Sequence, residues 1–112
     1  MEEKIAIPVS NGKLSSHFGQ TEQYVIYTIS DGRVTETEHA IPPPHAYGSH
    51  PNFLREIGID IVIASGMGRK AIALLSEFGI RAITGIDNLS PEAIMERYLQ
   101  DNLESGPNRC DH

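Results

Sequence analysis

The stretch that most constrains the fold is residues 60–84, which have the pattern of a strand, a glycine turn, a helix and a second strand. Residues 61–64 form a short unbroken apolar run, typical of a strand covered on both faces in a parallel sheet. Residues 65–68 interrupt the run, and apolar residues then recur at helical spacing up to Gly79, a C-terminal cap. Residues 81–84 complete a βαβ unit, whose helix begins with free N–H groups at one edge of the sheet.

Earlier in the chain, three further strands are predicted. Residues 4–9 form another unbroken apolar run, and residues 24–30 and 33–38 form a hairpin around Asp31-Gly32. The simplest sheet order has the first strand in the middle, the hairpin strands on one side and the two βαβ strands on the other. We therefore predict an α/β protein in three layers, with a five-stranded mixed sheet and helices on both faces.

The remaining connections carry turn and helix signals. Residues 14–23 show no clear period and are interpreted as an ordered loop, and residues 40–48 contain three prolines and indicate a semi-rigid connector. Pro51 is predicted to be the first residue of a helix that Gly58 ends.

A last helix is predicted after Ser90, which has the chemistry of an N-cap, with Tyr98 and Leu99 on its inner face. The segment beyond it has too few apolar residues to pack. We therefore expect a single domain over residues 1–103 and a flexible C-terminal tail over residues 104–112.

Composition excludes several classes of protein. The formal net charge of −6 over 112 residues argues against nucleic acid as a partner, because phosphate binding needs clustered Lys and Arg. The chain has no apolar run of membrane-spanning length and no signal peptide pattern, so no membrane partner is expected. The single Cys110 excludes an internal disulfide and agrees with a reducing compartment. We expect a cytoplasmic protein that is a monomer or a weak homodimer.

Three loops are predicted to meet at one edge of the sheet. The first strand and the first βαβ strand are parallel neighbours whose connections diverge, and such a switch point opens a crevice at the carboxyl ends of the strands. His17 follows the first strand, residues 66–68 follow the fourth, and residues 85–88 follow the fifth.

The glycines at 66 and 68 leave three interpretations open. They match a loose dinucleotide-binding fingerprint, but outside its usual first βα unit. They also fit a turn that packs the helix close to the strand. The third interpretation is an anion site made of backbone N–H groups, helped by Arg69 or Lys70.

Histidines and a cysteine supply candidate metal ligands, because imidazole and thiolate are donors to soft metals. Taken alone, each of them is more often a solvated or locally hydrogen-bonded side chain than a ligand, and no pair has zinc-finger spacing. The candidates are His17, His45, His50, Cys110 and His112. Catalysis is not indicated, because the first strand carries no carboxylate for a two-metal site and no nucleophile elbow is present.

Several short motifs together resemble the dinitrogenase iron-molybdenum cofactor biosynthesis family, over about residues 5–103. They lie at residues 5–10, 15–19, 24–27, 52–54, 58–62, 66–69 and 79–80. The resemblance implies a ribonuclease H-like fold and non-catalytic binding of iron-molybdenum cofactor or its precursors. The family's Ser-x-His-Phe-Gly motif falls on residues 15–19, so the resemblance makes His17 a candidate cluster ligand. Members also occur without nitrogen fixation.

The hypothesis from the sequence is a metal-cluster carrier or scaffold that is not an enzyme and exchanges its cargo with donor and acceptor proteins. The expected cofactor is iron-molybdenum cofactor or a related metal–sulfur cluster. Its predicted binding residues are His17, Gly66, Met67, Gly68 and Arg69. The alternatives are a small anion- or nucleotide-binding regulatory domain and an interaction module without metal.

Overall fold

The computed structural model describes residues 2–44 and 48–103. Within these ranges strands and helices follow the order predicted from the hydrophobic pattern, apart from one additional short strand. The elements are β1 (Glu2–Ser10), β2 (Lys13–Leu14), a 3-10 turn (Phe18–Gln20), β3 (Gln23–Ser30), β4 (Arg33–Ala40), α1 (Ser49–Glu56), β5 (Ile61–Ile63), α2 (Arg69–Glu77), β6 (Arg81–Ile83) and α3 (Pro91–Leu99).

The main sheet has the order β4-β3-β1-β5-β6, as predicted. β3 pairs antiparallel with both β1 and β4, whereas β5 is parallel to β1 and to β6. The contact between the two halves of the sheet is the β1–β5 pairing, in which Ile5 lies opposite Ile61 and Ala6 opposite Val62.

The predicted number of strands was wrong, because the described sheet has six strands and not five. The additional strand, β2, pairs antiparallel with the end of β1, with Leu14 opposite Val9. Asn11 and Gly12 make the turn, with φ values of 56° and 79°, the left-handed conformation of a tight hairpin. Burial of the Leu14 side chain, which is 1% exposed, holds this short strand in place.

Two cores on opposite faces of the sheet confirm the three-layer arrangement. Successive side chains of a strand point to opposite faces, so β1 supplies Ile5 and Ile7 to one core and Ala6 to the other. The first core is closed by α3 through Ile94, and the second is closed by α1 and α2, with Leu75 from α2 fully buried.

Helix α1 begins two residues earlier than predicted, since Pro51 is its third residue and not its first. Proline is tolerated there because the N–H groups of a first helical turn have no partner inside the helix. Gly48 stands at the N-cap with φ of 72°, and the Asn52 side chain donates to the Gly48 carbonyl at 2.7 Å.

Helix α3 starts as predicted, with Pro91 as its first residue and the Ser90 Oγ accepting the Ala93 N–H at 3.2 Å. At its other end Tyr98 is half-buried, but the inward orientation predicted for Leu99 was wrong, since that side chain is 38% exposed. None of the helices that the structure describes is long and apolar enough to cross a membrane.

One buried polar group in the sheet gives a test of the packing. The Thr28 side chain on β3 is 4% exposed, and its Oγ1 has no hydrogen-bond partner within the described structure. A buried polar atom without a partner costs about 1–3 kcal/mol.

We therefore expect Thr28→Val to raise the free energy of unfolding by about 1 kcal/mol in urea denaturation. The exposed Thr37→Val is the control and should change it by less than about 0.5 kcal/mol; a destabilised Thr28→Val protein would contradict the assignment.

Candidate functional site at the carboxyl edge of the sheet

Three connections meet where the parallel strands β1, β5 and β6 end, as the sequence predicted. The connection after β6 is tied to the one after β5 by the Gly85 N–H, which donates to the Ser65 carbonyl at 2.9 Å. It is also tied to the connection after β1, because the Leu14 N–H donates to the Leu89 carbonyl at 2.9 Å and the Asn88 side chain to the Leu14 carbonyl at 2.5 Å. The carboxyl edge is therefore one continuous hydrogen-bonded surface.

The loop that carries His17 is joined directly to the glycine turn. The Phe18 N–H donates to the Gly66 carbonyl at 3.0 Å. His17 immediately precedes Phe18 and is exposed, with an extended backbone (φ −128°, ψ 118°). An exposed imidazole is thus held beside the turn that leads into α2.

Three hydroxyl groups fix the base of the His17 loop. The Ser15 Oγ lies 2.7 Å from both the Ser10 Oγ and the Thr21 Oγ1, and the Thr21 Oγ1 donates to the Val9 carbonyl at 2.9 Å. The chain is completed by the Glu22 N–H, which donates to the Ser10 Oγ at 3.3 Å. Sequence reasoning assigned no role to Ser10 or Thr21. The indication of this hydrogen-bonded network in the sequence is a cluster of hydroxyl residues on both sides of the predicted loop.

An aromatic cluster lies beneath the same loop and connects it to α1. The ring of Phe18 packs against Tyr24 and His50, with centroids 5.8 and 5.9 Å away. The Tyr24 Oη lies 2.8 Å from the His50 Nδ1, and both side chains are buried. His50, predicted from the sequence as a metal ligand, therefore has its Nδ1 in a hydrogen bond with Tyr24 in this structure. Its role as a ligand stays a prediction.

The turn before α2 combines buried and exposed groups. Gly66 and Met67 are buried, and the Met67 side chain packs in the core formed with α1 and α2. Gly68 is the N-cap with φ of −67° and ψ of 155°, a conformation open to any residue, and Arg69 is the exposed first residue of the helix. Backbone strain therefore does not require glycine at 68.

Helix α2 presents the electrostatic character of an anion site at this edge. The first bond of its ladder runs from the Ile72 N–H to the Gly68 carbonyl at 3.1 Å, so the N–H groups of the first turn have no partner inside the helix. The N-cap residue Gly68 has no side chain that could cap them. The positive end of the dipole is worth up to about 1 kcal/mol toward an anion.

The described residues offer few side chains that could bind a metal ion together. The described residues contain no group of three or more His, Cys, Asp and Glu side chains that could hold a metal ion. Of the five predicted ligands, His45, Cys110 and His112 lie outside the described residues. Within the described structure, the predicted ligand that reaches the surface of the carboxyl edge is His17.

The Tyr24–His50 pair can be tested through its pH dependence. Burial raises the pKa of Tyr24 above its usual value of 10.0, so the folded protein keeps this phenol protonated where the unfolded chain ionises. The stability that the phenol contributes is complete below pH 10 and is lost as the pH rises further. We expect Tyr24→Phe to lower the free energy of unfolding by about 1–3 kcal/mol at pH 7, since the buried His50 Nδ1 loses its partner. The difference in the free energy of unfolding between the wild-type protein and Tyr24→Phe should narrow between pH 9 and pH 11. A difference that stays constant with pH in urea denaturation would contradict this role of the buried phenol.

Comparison with known proteins gives the family of this chain. An uncharacterized protein of Methanocaldococcus jannaschii is 27% identical over 106 residues, covering 90% of this chain and 89% of its own length. The crystal structure of PH0822 superposes with a TM-score of 0.87 at 27% identity, over 95% of this chain and 96% of that one. The apo form of the orange protein from Desulfovibrio gigas shares the fold, with a TM-score of 0.76 at 17% identity over 95% and 94% of the two chains. Residues 1–101 match the family model described as dinitrogenase iron-molybdenum cofactor, and the chain therefore belongs to that family.

Proposed function

We propose that this protein binds a preassembled, anionic metal–sulfur cluster of the iron-molybdenum type at the carboxyl edge of its sheet and carries it without catalysing a reaction. The observation that carries the proposal is the hydrogen bond from the Phe18 N–H to the Gly66 carbonyl at 3.0 Å, which sets exposed His17 beside the start of α2. Family membership supports the nature of the cargo. The strand order also agrees with the ribonuclease H-like classification that we propose for the fold.

The limited donor set favours a cluster over a single metal ion. A lone transition-metal ion needs about three or four protein ligands, and the described residues offer no such group. A preassembled cluster already has sulfide bridges on its metals, so it needs fewer protein ligands than a lone ion, and one imidazole can bind an exposed metal. His17 is the ligand that we assign to this role.

An anionic cargo is attracted by the positive groups near the site, although the net charge of the protein is negative. A formal charge of −6 repels an anion at long range, but screening limits that repulsion to about 8–10 Å at physiological salt. At short range the first turn of α2 presents N–H groups, and Arg69 follows at the surface. Of the acids on this edge, Asp87 is exposed and already engaged with a partner, and the Glu22 carboxylate accepts the Asn11 N–H at 3.2 Å.

Weak anchoring agrees with carriage. A cluster held by one imidazole and backbone N–H groups dissociates more readily than one held by four thiolates, because each lost ligand of about 1.4 kcal/mol costs tenfold in affinity. The exposed position of His17 leaves the cargo accessible from solvent. We propose that donor and acceptor proteins exchange the cluster at this face.

The test is anaerobic titration of the full chain with isolated iron-molybdenum cofactor, followed by absorption and by elemental analysis for iron and molybdenum. His17→Ala should keep the fold, because an exposed loop imidazole contributes little packing, and should weaken binding about tenfold or more, the loss of at least about 1.4 kcal/mol. His39→Ala is the matched control, since His39 is also an exposed histidine and lies on β4.

Equal binding by the wild-type protein and by folded His17→Ala would reject His17 as the ligand. Failure of the wild-type protein to bind the cofactor would reject the proposed function itself. Binding lost equally in His17→Ala and His39→Ala would show that the imidazoles act through general surface charge, and would also reject the assignment.

A further inference from the structure

A second cavity lies at the opposite, amino edge of the sheet and has no part in the site described above. Its volume is about 720 Å³, within the range of small-molecule pockets. It is bounded by the starts of β1 and β6, the turn between β3 and β4, and the end of α3. No loop of the carboxyl edge lines it in the described structure.

The rim of this cavity is mainly acidic. Three carboxylates, from Glu3, Asp31 and Asp101, line it together with one guanidinium, that of Arg81. Helix α3 ends at Leu99 in the wall of the cavity, and the carboxyl end of a helix carries partial negative charge. The rim therefore attracts a cation more than an anion.

The wall combines aliphatic and aromatic surface. Ile29 and Ile83 line the cavity, as does Leu99, which is one of the large apolar side chains that the fold leaves exposed, at 38%. Tyr98 adds an aromatic ring, a group to which organic cations are attracted. An occupant that covers this wall needs an apolar body.

Electrostatic coupling within the cavity supports the same arrangement. Burial is the largest cause that raises the pKa of Tyr98. The Glu3 carboxylate raises it further through its charge and a hydrogen bond. The charge of Arg81 lowers the pKa of the same phenol. Glu3, Tyr98 and Arg81 are therefore close enough to influence one another and any ligand between them.

We infer that this cavity is a second binding site, for a small organic cation that has an aliphatic body, such as a primary amine. The ammonium group would lie among the carboxylates near Tyr98, and the hydrocarbon would cover Leu99 and its neighbours in the wall. Arg81 limits affinity, because it competes for the same carboxylates and repels the ligand.

The test uses n-hexylamine as the probe and hexanoate as the control of equal chain length. Amide signals of the full-length, metal-free protein are followed by NMR during each titration. Hexylamine should shift the signals of residues 31–32, 81 and 98–101, and hexanoate should leave them unmoved at the same concentration. Equal shifts with hexanoate, or no shift with hexylamine, would overturn the inference.

Two substitutions with opposite expected signs make the test specific. Glu3→Gln keeps the size and the hydrogen-bonding capacity of the side chain and should weaken hexylamine binding about threefold to fivefold. Arg81→Gln should strengthen binding by a similar factor, because it removes a competing cation. Glu77→Gln, an exposed acid at the end of α2, is the control and should have no effect. Weaker binding in Arg81→Gln would mean that Arg81 attracts the ligand and does not compete with it, and would reject a cation site.

Discussion

The parallel pairing of β1 with β5 is the constraint on which the site depends. It rests on a short register, Ile5 opposite Ile61 and Ala6 opposite Val62, between strands that are buried on both faces. The chain leaves β1 toward the hairpin strands and leaves β5 toward β6 in the other half of the sheet. The connections that follow the two strands therefore diverge, the arrangement in which open α/β sheets bind ligands. The hydrogen bond from Phe18 to Gly66 then bridges these two connections.

The site is supported from below by polar and aromatic contacts that fix the loop without covering its surface. The hydroxyl groups of Ser15 and Thr21 hold the base of the His17 loop, and the rings of Tyr24 and His50 hold Phe18. A ligand on a loop binds best when the neighbouring groups hold it in place before the cargo arrives. The exposed His17 side chain therefore stands on a loop that these contacts hold from below.

Much of the fold followed from local patterns, because apolar runs, glycine turns and caps such as Ser90 act within a few residues of themselves. The strand β2 was missed although Asn11-Gly12 is a strong hairpin signal, since a two-residue strand has no period to detect. The Tyr24–His50 bond joins residues that are 26 positions apart, and a single sequence carries no trace of such a pairing. Leu99 was predicted to face inward because helical spacing gives the direction of a side chain, but not where the facing layer ends.

The central claim is that the loops after β1 and β5 act together as one anion-accepting surface. The most direct measurement is an NMR titration of the full-length, metal-free protein with tetrathiomolybdate, an anion of molybdenum and sulfide, under anaerobic conditions. We expect the amide signals of residues 15–19 and 66–69 to shift together, with one common dissociation constant, and the signals of the amino edge to stay in place. Shifts confined to one loop, two different constants, or changes only at the amino edge would contradict this claim.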